Sequence, residues 1–294
     1  MNISVIIPTY NRAELVLQAV ESVLAQTRPA DEIIVVDDGS SDDTLQLLSP
    51  LEDRGRVRLL SCQHSGMPGA VRNRGVEAAG GDYIAFLDSD DLWRPEKLAA
   101  QIAHGPSRLV HTRELWNRSG REISQKSQRH ARSGNMFADA LKKCIIGPST
   151  VLLQRSLLEA CGGFREDVQV AEDYELWLHL TAKCDVQYVD RPLVEKRAGH
   201  GGQLSERFGA IEYFRLRSLL DFCGYHEHMP APPGLPGLAA NAARRAEGLS
   251  EPQRQAAVEE LGYKLRVFAA GAEKRGNQDV AEWCRTAAGQ LGQG

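Results

Sequence analysis

The sequence predicts an α/β protein in which a mainly parallel sheet is flanked by helices. Three observations carry this. Short apolar runs alternate with amphipathic stretches of helical spacing from Ile3 to His104. Three of those runs end in polar clusters, Pro8-Thr-Tyr-Asn-Arg12, Asp37-Asp38-Gly39-Ser40 and Asp88-Ser-Asp-Asp91. Strand–helix alternation on this scale implies right-handed βαβ crossovers and hence parallel neighbours.

Taken in order, Ile3-Ser-Val-Ile-Ile7 reads as a buried strand. Leu15, Val16, Ala19, Val20, Val23 and Leu24 recur at helical spacing and fade near Thr27-Arg-Pro29. Glu32–Asp37 is a second strand, and Ser40, with Asp43 three residues on, is expected to cap a helix running through Leu48. Val57–Ser61 is a third strand, Pro68–Ala79 a third helix and Tyr83–Asp88 a fourth strand, with a helix near Pro95–His104. The rhythm then loosens. Leu109–Thr112 is expected as a strand and the polar stretch Arg118–Ser133 as a surface loop. Thr150–Gln154 is a strand, followed by a short helix ending at Gly162-Gly163. Tyr174–Lys183 is a helix, Val186–Val189 a strand and Ser205–Cys223 helical. Pro230-Ala-Pro-Pro-Gly-Leu-Pro-Gly237 breaks the chain before an Ala-rich helical tail that turns near Arg275-Gly-Asn277.

Composition removes several function classes. The 294 residues carry a net charge of −4 and 42% hydrophobic residues, enough for one sizeable domain plus an appendage. The acidic balance argues against a nucleic-acid binder, which needs a basic stripe. No apolar run approaches the roughly 20 residues of a membrane span, and Met1 leads straight into a strand, so no signal peptide is expected. Cys62, Cys144, Cys161, Cys184, Cys223 and Cys284 are scattered, with no Cys-x-x-Cys pair, which fits a reduced cytoplasmic setting.

The chemistry concentrates at the strand ends. Asp88 and Asp90 place two hard carboxylates, one residue apart, at the carboxyl edge of the sheet, where open α/β sheets bind ligands. Such a pair suits Mg²⁺ or Mn²⁺, with substrate phosphates completing the shell. No Gly-x-Gly-x-x-Gly follows the first strand and no Gly-x-x-x-x-Gly-Lys loop occurs, so phosphates here would be neutralised by metal rather than cradled by backbone. Tyr10 offers a flat face for a base, and Asp37 or Asp38 can accept from a base N–H or from ribose hydroxyls. Alone, the latter pair would be a strand-end turn feeding a helix cap; clustered with Asp88 and Asp90 it reads as a site. His226 and His228 have metal-like spacing but read as a solvated helix end.

The strings Val5-Ile-Ile-Pro-Thr-Tyr-Asn-Arg12, Ile34-Val-Val-Asp-Asp-Gly-Ser-Ser-Asp-Asp-Thr44, Arg72-Asn-Arg-Gly75, Asp82-Tyr-Ile-Ala-Phe-Leu-Asp-Ser-Asp-Asp91, Gly162-Gly-Phe164 and Glu172-Asp-Tyr-Glu-Leu-Trp177 together resemble the family 2 glycosyltransferases over residues 3–200. The resemblance implies a GT-A fold, with a nucleotide-sugar-binding half over 1–104, an acceptor-binding half over 105–204 and a helical extension over 205–294. It also implies transfer of a sugar from a nucleotide diphosphate to an acceptor hydroxyl with inversion at the anomeric carbon. By match of position, Pro8, Tyr10, Arg12, Asp38, Arg72, Asn73, Asp88 and Ser89 fall on the donor. Asp90, Asp88 and His200 fall on Mn²⁺ or Mg²⁺, Glu172 on the acceptor side, and Asp173 on the catalytic base. Glu172 and Asp173 also suit a helix N-terminus through its dipole, a placement compatible with that role. The glycines around His200 suggest a loop that closes over bound donor.

The implied donor is a UDP-sugar first, with GDP and dTDP sugars next, and the implied acceptor is a saccharide or lipid-linked saccharide of the bacterial envelope. The tail from Leu238 leaves three uses open: a partner or dimer contact, a membrane surface, or core packing. Two other functions compete with this reading. A sugar-nucleotide-forming nucleotidyltransferase would need a glycine-rich, Arg-containing loop where Pro8–Arg12 stands. A silent nucleotide-sugar-binding scaffold has no need of the intact Asp88, Asp90 and Asp173 set.

Overall fold

A computed structural model describes residues 1–105, 107–118, 120–124, 130, 132–198, 211–225, 231 and 246–291. The chain runs β1 (Ile3–Thr9), α1 (Ala13–Leu24), β2 (Glu32–Asp37), α2 (Thr44–Asp53), β3 (Arg58–Ser61), α3 (Pro68–Ala78), β4 (Tyr83–Phe86) and β5 (Asp91–Trp93). It continues through α4 (Lys97–Ile102), β6 (Leu109–Arg118), β7 (Arg121–Ile123), α5 (Phe137–Lys142), a 3₁₀ turn at Pro148–Thr150, β8 (Leu152–Gln154), α6 (Arg155–Ala160) and α7 (Glu172–Lys183). β9 (Gln187–Ala198), α8 (Ile211–Cys223), α9 (Glu251–Lys274) and α10 (Gln278–Gln290) complete it.

One sheet holds both halves, in the order β3-β2-β1-β4-β8-β6-β9-β5, with β7 beside β6. β1 pairs in parallel with β2 and β4, and β2 with β3, as the alternating pattern predicts. From β4 onward the sheet is mixed: β8 is antiparallel to β4 and β6, while β6 and β9 run parallel. The parallel strands are apolar on both faces because both are covered. Val5, Ile7 and Val35 pack with Val16, Val20 and Val23 of α1, while Ile6, Ile34 and Phe86 meet Val71 and Val76 of α3 and Trp177 of α7. Gly75 lets α3 lie flat on β1, since a Cβ there would stand 2.4 Å from Ile6 Cγ2.

The structure departs from the sequence expectations at four elements. α2 begins at Thr44 rather than after Ser40, because residues 40–42 are spent tying the end of β2 to the end of β1. Ser40 Oγ accepts from Asn11 N–H at 2.8 Å, and Asn11 Oδ1 accepts from Ser41 N–H at 2.7 Å. β5 was not expected; its three residues pair antiparallel with β9. The stretch expected as a polar loop from Arg118 instead begins with the β6–β7 hairpin, and β9 runs on to Ala198 rather than stopping at Val189. Much of 113–118 and 190–197 is polar and half exposed, with Leu193 and Val194 the buried exceptions, so their strand character comes from pairing with each other, past register shifts between Thr112 and Glu114, and not from a continuous apolar pattern.

α8, α9 and α10 pack with α5 and α7 around Tyr213, Leu219, Leu261, Leu265 and Trp283. A Ser250–Gln253 capping box starts α9, and Asn277 accepts from Val280 N–H to start α10. Among the described residues no helix is long and apolar enough to cross a membrane. The breaker-rich segment near 230–237 lies outside the described residues except for Ala231.

Candidate functional site

The carboxyl ends of β1, β2 and β4, the N-termini of α3 and α7 and the far end of β9 surround a cavity of about 580 Å³. Pro8, Tyr10, Arg12, Asp38, Arg72, Asp88, Ser89, Asp90, Glu172 and Asp173 all line it, so residues drawn from both halves of the sequence share one space.

The Asp88–Asp91 turn is held from three sides. Asp91 N–H closes the turn on Asp88 C=O at 2.9 Å. Ser149 Oγ donates to Asp91 Oδ2 at 2.6 Å and accepts from Asp88 N–H at 3.1 Å. Arg12 Nη1 meets Asp90 Oδ2 at 2.5 Å, Arg72 Nη2 meets Asp88 Oδ1 at 2.7 Å, and Arg197 Nε donates to the Asp90 carbonyl at 2.6 Å. Burial alone would lift the Asp88 carboxyl, but the charges of Arg72 and then Lys196 win and hold it below the ordinary range. Asp91 goes the other way. Burial pushes it up to about 8, against the Lys196 ammonium 3.8 Å away, with the neighbouring charges of Asp88 and Asp90 adding to the rise.

Arg72 is the joint of the site. Its guanidinium is buried and forks between Asp88 at one edge and Glu172 Oε1 at the other, 2.6 Å away. The Glu172 carboxyl is pushed up to about 7 by burial, opposed by Arg72. Ala171, just before it, sits at φ +64°, a left-handed conformation that L residues adopt at a cost, and this turns the chain into α7. Asp173 then faces the cavity half-buried. Its Oδ1 accepts from Tyr174 N–H at 2.7 Å, and its Oδ2 accepts from the Cys144 thiol at 3.3 Å. Burial and the Asp173 charge hold that thiol well above its usual range, so it stays protonated and donates.

Two residues expected at the donor, Asp38 and Asn73, also make bonds within the fold. The Asp38 carboxylate builds the loop after β3: Oδ1 accepts from Ser65 N–H at 2.8 Å and Ser65 Oγ at 2.9 Å, and Oδ2 from Gly66 N–H at 2.9 Å, with His64 Nδ1 at 3.0 Å. With these bonds Asp38 shapes the cavity wall. Gly39, at φ +75°, admits this loop; a Cβ there would stand 2.8 Å from His64 N. Asn73, expected at the donor, is not among the cavity-lining residues. Its amide donates to Phe164 C=O at 2.8 Å and Glu166 at 2.7 Å, and accepts from Phe164 N–H at 2.9 Å, tying α3 to the loop before α7.

His200, expected as a metal ligand, lies outside the described residues, as do His226 and His228. Sequence reasoning missed His64, whose ring stacks on Tyr10 with centroids 3.9 Å apart and planes 17° apart. It also missed Cys144, Lys196, Arg197 and Arg215, which all line the cavity. A signal existed only for Lys196 and Arg197, a basic pair just before the glycines around His200.

Comparison with known proteins gives a consistent picture. A profile described as Glycosyl transferase family 2 matches residues 4–162. The chain is 36% identical over 203 residues to an uncharacterized glycosyltransferase of Rickettsia felis, covering 68% of this chain but 33% of that protein. It thus spans about a third of the length of the first curated relatives it matches. It is 33% identical over 217 residues to the putative teichuronic acid biosynthesis glycosyltransferase TuaG of Bacillus subtilis, covering 71% of this chain and 84% of that one. Among solved structures, S. aureus TarS 1-349 in complex with UDP-GlcNAc superposes with a TM-score of 0.61 at 20% identity, covering 100% of this chain and 92% of that one. The mannosyltransferase PcManGT of Pyrobaculum calidifontis, in complex with GDP-Man and Mn²⁺, gives 0.55 at 19% identity, covering 99% and 86%. These structural likenesses establish the GT-A fold. With more than half of its length matched by the family profile, the chain belongs to glycosyl transferase family 2.

Proposed function

We propose that this protein transfers a sugar from a nucleotide diphosphate to an acceptor hydroxyl, with inversion, in the assembly of a bacterial envelope polysaccharide. The observation that carries the reading is Arg72, which binds Asp88 at the donor end and Glu172, the neighbour of Asp173, at the acceptor end of one cavity. The relatives support the class of product: TuaG is named for teichuronic acid, and an E. coli relative, 33% identical over 195 residues, is named a UDP-Glc:alpha-D-GlcNAc-diphosphoundecaprenol beta-1,3-glucosyltransferase. UDP-sugars are therefore the first donors to test, before GDP and dTDP sugars, with saccharide or lipid-linked saccharide acceptors. We assign 1–104 to the donor, 105–204 to the acceptor and 205–294 to the helical extension. A reduced cytoplasmic setting fits the six free cysteines.

The residues present fit a hard divalent cation. Asp88 and Asp90 supply carboxylate oxygens, and no group of three or more His, Cys, Asp or Glu able to hold a metal occurs among the described residues. That donor set suits Mg²⁺ or Mn²⁺, which keep waters and take the rest of their shell from phosphates, and does not suit an all-protein cage. Bound there, the ion would neutralise charge developing on the leaving diphosphate.

The chain's own residues do the remainder. Tyr10 and His64 offer a two-ring platform for the base. Arg12, Lys196 and Arg197 surround the position of the phosphates and favour their developing charge. Asp173, aimed by Tyr174 N–H and the Cys144 thiol, takes the proton of the acceptor hydroxyl as that oxygen attacks the anomeric carbon from the face opposite the diphosphate. Arg72 holds Glu172, and through the start of α7 fixes Asp173 relative to the donor. Asp173→Asn should keep donor binding and lower turnover by about 10²–10⁴-fold. Unchanged turnover in that variant would remove Asp173 from the mechanism. Thermal shift with UDP, GDP and dTDP, with and without Mn²⁺, tests the donor site directly; a ligand at about a hundred times its Kd adds roughly 2.7 kcal/mol.

A further inference from the structure

We propose that α8 of the helical extension completes the acceptor end of the cavity, and that its Arg215 selects an acceptor bearing an anionic group, a carboxylate or a phosphate, beside the attacking hydroxyl. The inference rests on the reading of Asp173 as the base and deepens it by naming the acceptor's chemistry. Most of α8 is core: Leu216, Leu219 and Leu220 pack into the cluster shared with α7 and α9. Ile211 and Arg215, one turn apart on the same face, line the cavity together with Asp173. The far end of the helix is anchored where buried Arg165, on the loop before α7, pairs with Asp221. That ion pair fixes α8 to the loop that leads into Glu172 and Asp173.

Arg215 differs from Arg72 and Lys196 in what compensates its charge. Arg72 is held by Asp88 and Glu172, and Lys196 lies between Asp91 at 3.8 Å and Glu114 at 4.0 Å. Arg215 Nη1 meets Glu212 Oε1 at 2.5 Å, but Glu212 is 53% exposed and its other oxygen faces Lys264 Nζ at 3.9 Å. Exposed pairs contribute little, so Glu212 leaves the guanidinium able to serve an anion in the cavity. Arg215 Nε is buried with no hydrogen-bond partner among the described residues, and the guanidinium carbon stands 5.9 Å from the Tyr174 ring centroid. Burial opposes its charge, and the carboxylates of Glu212 and Asp173 more than offset that, so the group is held in its charged form. Cys144, which donates to Asp173, also lies within electrostatic reach of Arg215. A hydroxyl placed at Asp173 therefore brings a neighbouring substituent of the acceptor toward Arg215. A planar guanidinium binds a carboxylate or a phosphate through paired N–H donors, and a neutral substituent forgoes that charge.

The test is saturation-transfer NMR on the UDP-saturated chain with methyl β-D-glucuronide, α-D-glucose 1-phosphate and neutral methyl β-D-glucoside as probes. The wild type should bind one or both charged probes about ten-fold or more tightly than the glucoside. Preference for the glucuronide assigns a carboxylate-bearing acceptor, and preference for the glucose phosphate a phosphate-bearing one. Arg215→Met should lose the preference while keeping its UDP affinity. Arg215→Lys, which keeps the charge without the paired donors, should retain part of it. Thermal melts of the ligand-free variants check that each is folded. Equal affinity for all three probes in the wild type, binding of none, or a preference that persists in folded Arg215→Met would overturn the inference, with UDP binding leaving the donor site standing. Loss of UDP affinity in folded Arg215→Met would place Arg215 at the donor and overturn it as well. A wild type that binds no UDP would sink the donor-site reading and this inference with it.

Discussion

The Cys144 thiol donates to Asp173 Oδ2 at 3.3 Å, so the carboxylate assigned as the base is aimed by a residue 29 positions earlier in the chain. Cys144→Ser should preserve that hydrogen bond and most of the activity. Cys144→Val leaves Asp173 with Tyr174 N–H alone and should lower donor turnover about ten-fold, the equivalent of roughly 1.4 kcal/mol, with UDP affinity unchanged. Turnover by both variants against UDP affinity from calorimetry separates aiming from donor binding. Equal activity in Val and Ser variants would dismiss the aiming role.

Asn73 ties α3 to the loop before α7. Asn73→Ala strips three hydrogen bonds to Phe164 and Glu166 and leaves the half-buried Phe164 peptide without partners. Urea unfolding should show a loss of about 2 kcal/mol. UDP affinity of the folded fraction should stay within two-fold or so of wild type. A drop in UDP affinity without loss of stability would restore Asn73 to the donor site.

Ala171 tests the cost of presenting Glu172 and Asp173. At φ +64° a glycine relieves strain while gaining freedom in the unfolded chain, so Ala171→Gly should fall within about 1 kcal/mol of wild type. Ala171→Val adds a β-branch in the left-handed region and should cost about 2 kcal/mol, with turnover lost in step as the start of α7 shifts. Denaturation midpoints of the pair decide it; a harmless valine would mean that the turn is not under strain.

His111 gives a pH signature remote from the cavity. Burial holds its imidazolium down to about 4 from the ordinary 6.5, and Nε2 pairs with the Arg132 carbonyl at 2.7 Å as a neutral donor. The unfolded chain therefore binds the proton first as pH falls. The contribution is fully present above about 6.5 and is lost progressively down to about 4, a loss of roughly 3 kcal/mol. His111→Gln can keep the donor without titrating. Urea unfolding at pH 7 and pH 4.5 should show a larger fall for wild type than for His111→Gln, and equal falls would refute the assignment.

The parallel half and its strand-end cluster were legible because apolar periodicity is strong where both faces of a sheet are covered, as at Val5, Ile6 and Ile7. Asp88 and Asp90 stood out because paired carboxylates at the end of a buried strand have no packing use there, whereas Asp173 came only with the family resemblance. β5, the far ends of β6 and β9 and the delayed start of α2 were not legible. Their backbone is fixed by partners distant in sequence, such as Asn11 for Ser41 and Arg113 for Pro192, and no local pattern announces those. The same limit hid His64 and Cys144, which owe their place in the cavity to loops. It also hid the structural bonds of Asp38 to the Ser65–Gly66 backbone and of Asn73 to Phe164, which no residue type announces.

The single mixed sheet has a consequence for how the protein is made. β4 pairs Ile84 with Leu153 of β8, about 70 residues later in the chain. At roughly 5–20 residues per second, several seconds pass during synthesis in which β4 is an open, apolar edge. β3, β2 and β1 can assemble on the ribosome, but their sheet is closed only by a strand from the other half, and β9 must follow before β5 has a neighbour. The nascent chain is thus most exposed to edge-to-edge association between emergence of β4 and emergence of β8. The two halves share one sheet, so cutting between them would yield fragments with open strand edges.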